Sequence, residues 1–196
     1  MSRIAVARWI DDRALFYGWP MLGIGFLGML GTGPGQSYTI GLFFGPLMRE
    51  LELSGTTISA VYGVGTAFAA LGLSYTGRLV DRYGPRRMLA LIALLLGGVC
   101  LAFPLVTNVV ALFFAFTAVR FLGQGSLSLA ATNLVCQWFV VRRGLALSIA
   151  TLGFALGLAA YPPLVQRLIA VVGWRQSWVW MGLWVWLLLI PVALLL

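Results

Sequence analysis

From Met88 to Val106 the chain runs nineteen residues without a charged side chain, and similar stretches recur along most of its 196 residues. An α-helix needs about 20 mostly apolar residues to cross the hydrocarbon of a bilayer. The backbone polar groups of such a segment must be satisfied within the protein, and a helix does this internally. Composition agrees: 61% of the residues are hydrophobic, 9% are charged, and the mean hydropathy is +0.99. A soluble domain is about half apolar and a quarter charged, and could not hide this much apolar surface. The expected fold class is all-α and integral to a membrane.

Six segments are long and apolar enough, at about residues 17–44, 54–76, 88–106, 109–135, 144–172 and 176–196. The charged residues between them set an orientation. Residues 1–16, the 77–87 loop and the 137–143 loop fall on one side and carry Arg3, Arg8, Arg13, Arg78, Arg82, Arg86, Arg87, Arg142 and Arg143; the other side carries Arg49, Arg167 and Arg175. Nine against three places the first side in the cytoplasm. The expectation is a cytoplasmic N-terminal segment at 1–16, then a six-helix domain over 17–196, with both termini cytoplasmic. The first apolar run is long enough to span and lacks a cleavage pattern, so it is read as a retained helix.

Several function classes drop out. The net charge of +8 sits in short arginine clusters between apolar runs, with no soluble basic domain to present a face to nucleic acid. The chain has no histidine and no GxxxxGK[ST] loop. Imidazole metal sites, histidine-based catalysis and nucleotide hydrolysis are not expected, nor is a cofactor. Cys100 and Cys136 fall at different membrane depths and read as packing residues, not a disulfide.

Within the first segment, Gly31-Thr32-Gly33-Pro34-Gly35 breaks the helix at membrane depth. Glycine and proline disfavour helix there, and discontinuous helices at that depth line solute pathways. Gly153 and Gly157, at GxxxG spacing, read as a close helix–helix contact.

The densest charge cluster is "GRLVDRYGPRRM", where Arg78, Asp81, Arg82, Arg86 and Arg87 fall within twelve residues. It lies between the second and third segments, on the cytoplasmic side. The stretch Gly77-Arg78-Leu79-Val80-Asp81-Arg82-Tyr83-Gly84-Pro85-Arg86 resembles motif A of the major facilitator superfamily, G-x-L-x-D-R-[FY]-G-R-[RK], with Pro85 displacing the first basic residue after the second glycine. A topology anchor would explain the arginines but not Asp81. The resemblance implies that Asp81 is a gating acid, supported by Arg82 and Arg86, with Arg87, Gly77 and Gly84 in the same motif. It also implies one half of a twelve-helix fold, built as a 3+3 inverted repeat. "YGW" from Tyr17, "FFGPLMRELELSGTTIS" from Phe43, "QWFVVRRGLALSIATLGFALG" from Gln137 and "GWRQSW" from Gly173 are similar to the branch of monocarboxylate transporters and oxalate/formate antiporters.

Arg120 lies in "FTAVRFLGQGSLS", eleven or twelve residues into the fourth segment and so roughly 17 Å deep. A charge there costs about 2.5–3.5 kcal/mol on insertion scales and faces the bundle interior or a wet cavity. A guanidinium can grip a carboxylate through two hydrogen bonds. Gln124 shares its face at i+4. Gln36 and Tyr38, after the break, and Tyr62, in the second segment, complete the expected polar lining. Trp174, Trp178, Trp180, Trp184 and Trp186 read mostly as interface anchors and lipid-facing packing.

The expected activity is secondary transport of a small organic anion, resembling a monocarboxylate, by alternating access in a bacterial-type inner membrane. A proton or counter-substrate would couple it. The chain ends "PVALLL" with no basic flank, and the expectation is the N-terminal half of a longer protein, its second six-helix half absent. The alternatives are a half-size protein that works as a homodimer, and a non-transporting membrane scaffold or sensor.

Overall fold

The computed structural model describes residues 18–194. The expected cytoplasmic segment 1–16, with Arg3, Arg8 and Arg13, lies outside the described residues, as does Tyr17.

Helix α1 spans Gly18–Leu30 and stops at the Gly-Pro cluster. Gly33–Gly35 forms one tight turn, and local side chains patch the broken backbone. Thr32 Oγ1 donates to the Met29 carbonyl at 2.7 Å, and Gln36 Nε2 donates to Thr32 Oγ1 at 3.2 Å. The chain then resumes through α2 (Ser37–Ile40), a tight turn at Gly41–Phe43 and α3 (Phe44–Glu50). Helical structure thus continues past the expected end at Phe44, because a helix need not stop where its apolar stretch does.

Helix α4 spans Gly55–Tyr83. Its N-cap is Ser54, whose hydroxyl accepts from the Thr57 N–H at 3.1 Å. The expected loop at 77–87 is corrected here. Gly77–Tyr83 forms the last two turns of α4, and the reversal is confined to Gly84, with φ 84° and ψ 148°. That region of backbone space is essentially restricted to glycine. Pro85 opens α5 (Pro85–Ala102), where its missing N–H and fixed φ suit a first helical position. Charge marked where the apolar zone ended; only the glycine marked where the helix ended.

Asn108 caps α6 (Val109–Val119) by accepting from the Ala111 N–H at 2.8 Å. The rod continues through an eight-residue π-helix, Arg120–Leu127, into α7 (Ser128–Trp138). Helix α8 runs Arg143–Leu194 and is two helices meeting at Gly173, whose φ 80° and ψ 166° are non-helical. Among the described residues, four stretches are long and apolar enough to cross a membrane: Gly55–Tyr83, Pro85–Leu105, Val109–Trp138 and Arg143–Pro191.

The core lies where α1 and α5 pack on α8, and small residues let the backbones close. A Cβ on Gly153 would strike the Phe26 carbonyl oxygen, and one on Gly97 would strike the Trp186 indole. Reading the tryptophans as anchors is corrected for two of them. Trp178 is fully buried, stacked on Phe103 at 3.9 Å between ring centres and against Phe43 at 4.7 Å, and Trp174 is also buried. Trp180 and Trp184 are exposed. Trp174 Nε1 donates to Glu50 Oε2 at 2.5 Å, and Arg175 Nη2 reaches Glu50 Oε1 at 2.6 Å and the Val106 carbonyl at 3.3 Å. Arg175 Nη1 donates to the Pro104 carbonyl. This clasp joins the end of α3, the α5–α6 turn and the Gly173 bend. Arg175 and Trp174 hold the Glu50 carboxyl below its ordinary value.

Candidate functional site

The π-helix and the broken first segment meet at two glycines. A Cβ on Gly35 would lie 2.6 Å from the Val119 carbonyl oxygen and 2.7 Å from the Gln124 nitrogen; one on Gly123 would lie 2.8 Å from Gly35 Cα. Backbone therefore touches backbone, as small residues at helix interfaces allow. The approach brings the Gly35 carbonyl to Arg120, whose Nη1 donates to it at 3.2 Å. Nη1 also donates to Ser37 Oγ at 3.1 Å, and Nε donates to Thr66 Oγ1 at 3.2 Å. The guanidinium carbon sits 5.2 Å from the centre of the Tyr62 ring, and the Tyr62 hydroxyl donates to Ser37 Oγ at 2.9 Å. A buried bond between Thr76 and Ser126 hydroxyls, 3.0 Å long, ties α4 to the π-helix just beyond.

Arg120 is 8% exposed, yet every partner it has is neutral. The acids among the described residues are Glu50, Glu52 and Asp81; Glu50 pairs with Arg175, and none pairs with Arg120. Hydrogen bonds from neutral oxygens orient and solvate a guanidinium, but they do not cancel its charge. Nη2 makes no hydrogen bond among the described residues. Arg120 also lines an open cavity of about 500 Å³ between α4 and the α6–α7 rod. One wall is Thr66, Ala69, Ala70 and Leu73 from α4; the other carries Gln124, Ser128, Thr132 and Asn133 below Arg120.

The expected lining residues therefore separate. Arg120 and Gln124 share the cavity, and Tyr62 braces the guanidinium from outside the lining. Gln36 is buried and serves the helix break, and Tyr38 packs edge-on against Phe154, 6.1 Å between ring centres; neither lines the cavity. Sequence reading missed Thr66, Ser128, Thr132 and Asn133. The i+4 ladder from Gln124 through Ser128 to Thr132 was the available signal.

The motif residues occupy the end of the molecule carrying Tyr83 and Trp138. Asp81 and Arg87 are exposed, and Gly77 lies within α4 with open space beside it. Asp81 makes no ion pair among the described residues. The Arg82 guanidinium lies 5.5 Å from the Tyr83 ring centre, and Arg86 lies 5.3 Å from that of Trp138. Arg86 Nη2 also approaches Met21 Sδ at 3.6 Å.

Comparison with known proteins places these features. The oxalate:formate antiporter of Oxalobacter formigenes is 27% identical over 164 residues, 81% of this chain and 38% of the antiporter. Monocarboxylate transporter 9 of Mus musculus is 30% identical over 161 residues, 80% of this chain and 31% of the transporter. Monocarboxylate transporter 6 of Homo sapiens is 28% identical over 148 residues, 73% of this chain and 28% of the transporter. The chain thus spans about a third of the length of the curated relatives it matches. The family model described as Major Facilitator Superfamily matches residues 21–196. With its apolar helices and its motif at the Gly84 reversal, the chain is a multi-pass integral membrane protein that belongs to the Major Facilitator Superfamily.

Proposed function

We propose that this chain forms one six-helix half of a secondary transporter that moves a small organic anion by alternating access. Arg120 carries the reading: a buried cation without a carboxylate partner, one guanidinium nitrogen unclaimed, facing an open cavity. An anion supplies the countercharge, with Nη2 and the Thr66 hydroxyl as its donors. Relatives named for oxalate, formate and monocarboxylates support a carboxylate. A second six-helix unit, or a second copy of this chain, closes the open side of the cavity, and a proton or counter-substrate drives the cycle. Asp81, exposed at the end of α4, is the acid that meets that second unit, with Arg82, Arg86 and Arg87 beside it.

Six crossings follow if the broken first segment spans once and α8 spans twice about Gly173. The two positive-φ glycines support a 3+3 repeat. Gly84-Pro85-Arg86 and Gly173-Trp174-Arg175 are both G-x-R reversals. Arg86 reaches Trp138, the last residue of the α6–α7 rod; Arg175 reaches Glu50, the last residue of α3. Exchanging the two triplets of helices exchanges the two contacts.

Uptake of labelled oxalate and lactate by proteoliposomes containing the intact gene product tests the reading. Arg120→Gln abolishes saturable uptake of both, and Arg120→Lys lowers it at least tenfold, because an ammonium does not reproduce the fork. Undiminished carboxylate uptake by Arg120→Gln, or transport confined to neutral solutes, would overturn it.

A further inference from the structure

The two arms of α8 border a second cavity below the Gly173 bend, about 490 Å³ in volume and open along one side. Its walls are hydrocarbon and indole: Leu156, Leu164 and Leu168 from the first arm, Trp180 and Trp184 from the second. The Tyr161 ring is the buried floor. Its tip rests where a Cβ on Gly33 would be, so the groove backs onto the helix break. Counting from Gly173 at 1.5 Å per residue, Leu168 lies about 8 Å down the first arm and Leu156 about 26 Å. The groove is thus about 18 Å long, close to the roughly 15 Å of hydrocarbon in one leaflet. Leu164 is 58% exposed and Trp180 is 54% exposed, and in a membrane protein such side chains meet lipid tails.

The lip of the groove carries charge. Arg167 precedes Leu168 and follows Leu164 by three residues, which sets it on the flank of the same helical face. It is exposed and makes no hydrogen bond or ion pair among the described residues. The acids at that end do not serve it: Glu50 is held by Arg175, and Glu52 makes no ion pair among the described residues. An arginine stem lies along apolar surface and lifts its charged head toward the interface. A hydrocarbon slot one leaflet deep, with an unclaimed cation at its lip, has the chemistry of a phospholipid site.

We propose that this groove holds one phospholipid of the adjoining leaflet, with an acyl chain between the two arms of α8 and the phosphate at Arg167. The inference rests on the reading above that both arms stand in the bilayer, and is independent of the anion at Arg120.

The experiment titrates the delipidated intact gene product in detergent with phosphatidylglycerol and counts retained lipids by native mass spectrometry. One lipid is expected to bind at least tenfold more tightly than the rest. Arg167→Gln is expected to weaken that lipid about fivefold, the effect of one arginine beside an anionic headgroup, and to leave diacylglycerol of the same chains unchanged. Ala160→Trp and, separately, Leu164→Trp fill the groove and are expected to abolish the tight lipid, with a cooperative melt reporting that each is folded. Inorganic phosphate alone is not expected to displace it. A tight lipid that survives both tryptophan variants, or that Arg167→Gln leaves unchanged, would overturn the inference. So would displacement by inorganic phosphate, or a dimer that Ala160→Trp dissociates, which would give the groove to a second copy. Vesicles of brominated phosphatidylglycerol separate this failure from that of the crossing reading. They are expected to quench a larger share of wild-type fluorescence than of Trp180→Phe/Trp184→Phe. Equal quenching would remove the arms from the hydrocarbon and sink both readings; a normal difference without a tight lipid sinks the lipid site alone.

Discussion

The contact between Gly35 and the π-helix offers the sharpest test of how the site is held. In Gly35→Ala the new methyl carbon would lie 2.6 Å from the Val119 carbonyl oxygen, 2.7 Å from the Gln124 nitrogen and 2.7 Å from Gly123 Cα. All three are backbone atoms, so no side chain can swing aside. Reaching an ordinary separation of about 3.5 Å requires the two segments to part by about 1 Å. Overpacking of this kind costs about 1–3 kcal/mol. The same movement stretches the 3.2 Å bond from Arg120 to the Gly35 carbonyl beyond hydrogen-bonding distance, and a bond to a charged group contributes about 1.5–3 kcal/mol. The two losses share one displacement, so the expected total is about 2–5 kcal/mol. At about 2–4 °C per kcal/mol for a chain of this size, melting of the detergent-solubilised protein should fall by roughly 4–20 °C. Gly41→Ala is the matched control. It has nothing within 4 Å and a helical φ of −56°, and should melt at or slightly above the wild-type temperature. If Gly35→Ala melts with the wild type and binds carboxylate normally, the contact does not position Arg120 as argued.

Three further outcomes are expected. Glu50 has a folded-state carboxyl below its ordinary value, so the clasp's contribution is present above the unfolded pKa and is lost as pH falls through the folded one. Melting scanned from pH 7 to pH 3 should show an acid-side loss that Glu50→Gln removes, and high salt should shrink the difference, since both partners are partly exposed. Gly84→Ala forces a non-glycine residue into a glycine-only conformation and should destabilise by about 1–3 kcal/mol, whereas Gly77→Ala, in open space within α4, should not; thermal melting of the pair checks this. Thr76→Val leaves the buried Ser126 hydroxyl unsatisfied and should cost about 1–3 kcal/mol, while Thr76→Val/Ser126→Ala recovers part of the loss; a double-mutant cycle of melting curves measures the coupling.

The chain's own order of residues determined a good deal. Long uncharged runs required helices in a membrane, because backbone polar groups there have no water to turn to. The Gly31–Gly35 cluster marked a break, since glycine and proline act on local backbone geometry, which needs no neighbour. Arg120 was conspicuous for the same kind of reason: depth follows from counting residues along a helix. Tertiary structure decided the rest. Where α4 ends could not be read from charge, because Gly77–Tyr83 is polar and helical at once. Trp174 and Trp178 looked like anchors, and became core only when α3 and the α5–α6 turn closed over them. Gln36 and Tyr38 share a stretch of sequence with the break, but the 3₁₀ turn aims them at Thr32 and Phe154 rather than at the cavity. Arg120 itself was legible as a charge and illegible as a site. Its partners Gly35, Ser37, Tyr62 and Thr66 come from two other segments, up to 85 residues away. Backbone-to-backbone packing at Gly35 and Gly123 brings Gly35 and Ser37 within hydrogen-bonding distance, and the packing of α4 on the π-helix brings Thr66 and the Tyr62 ring.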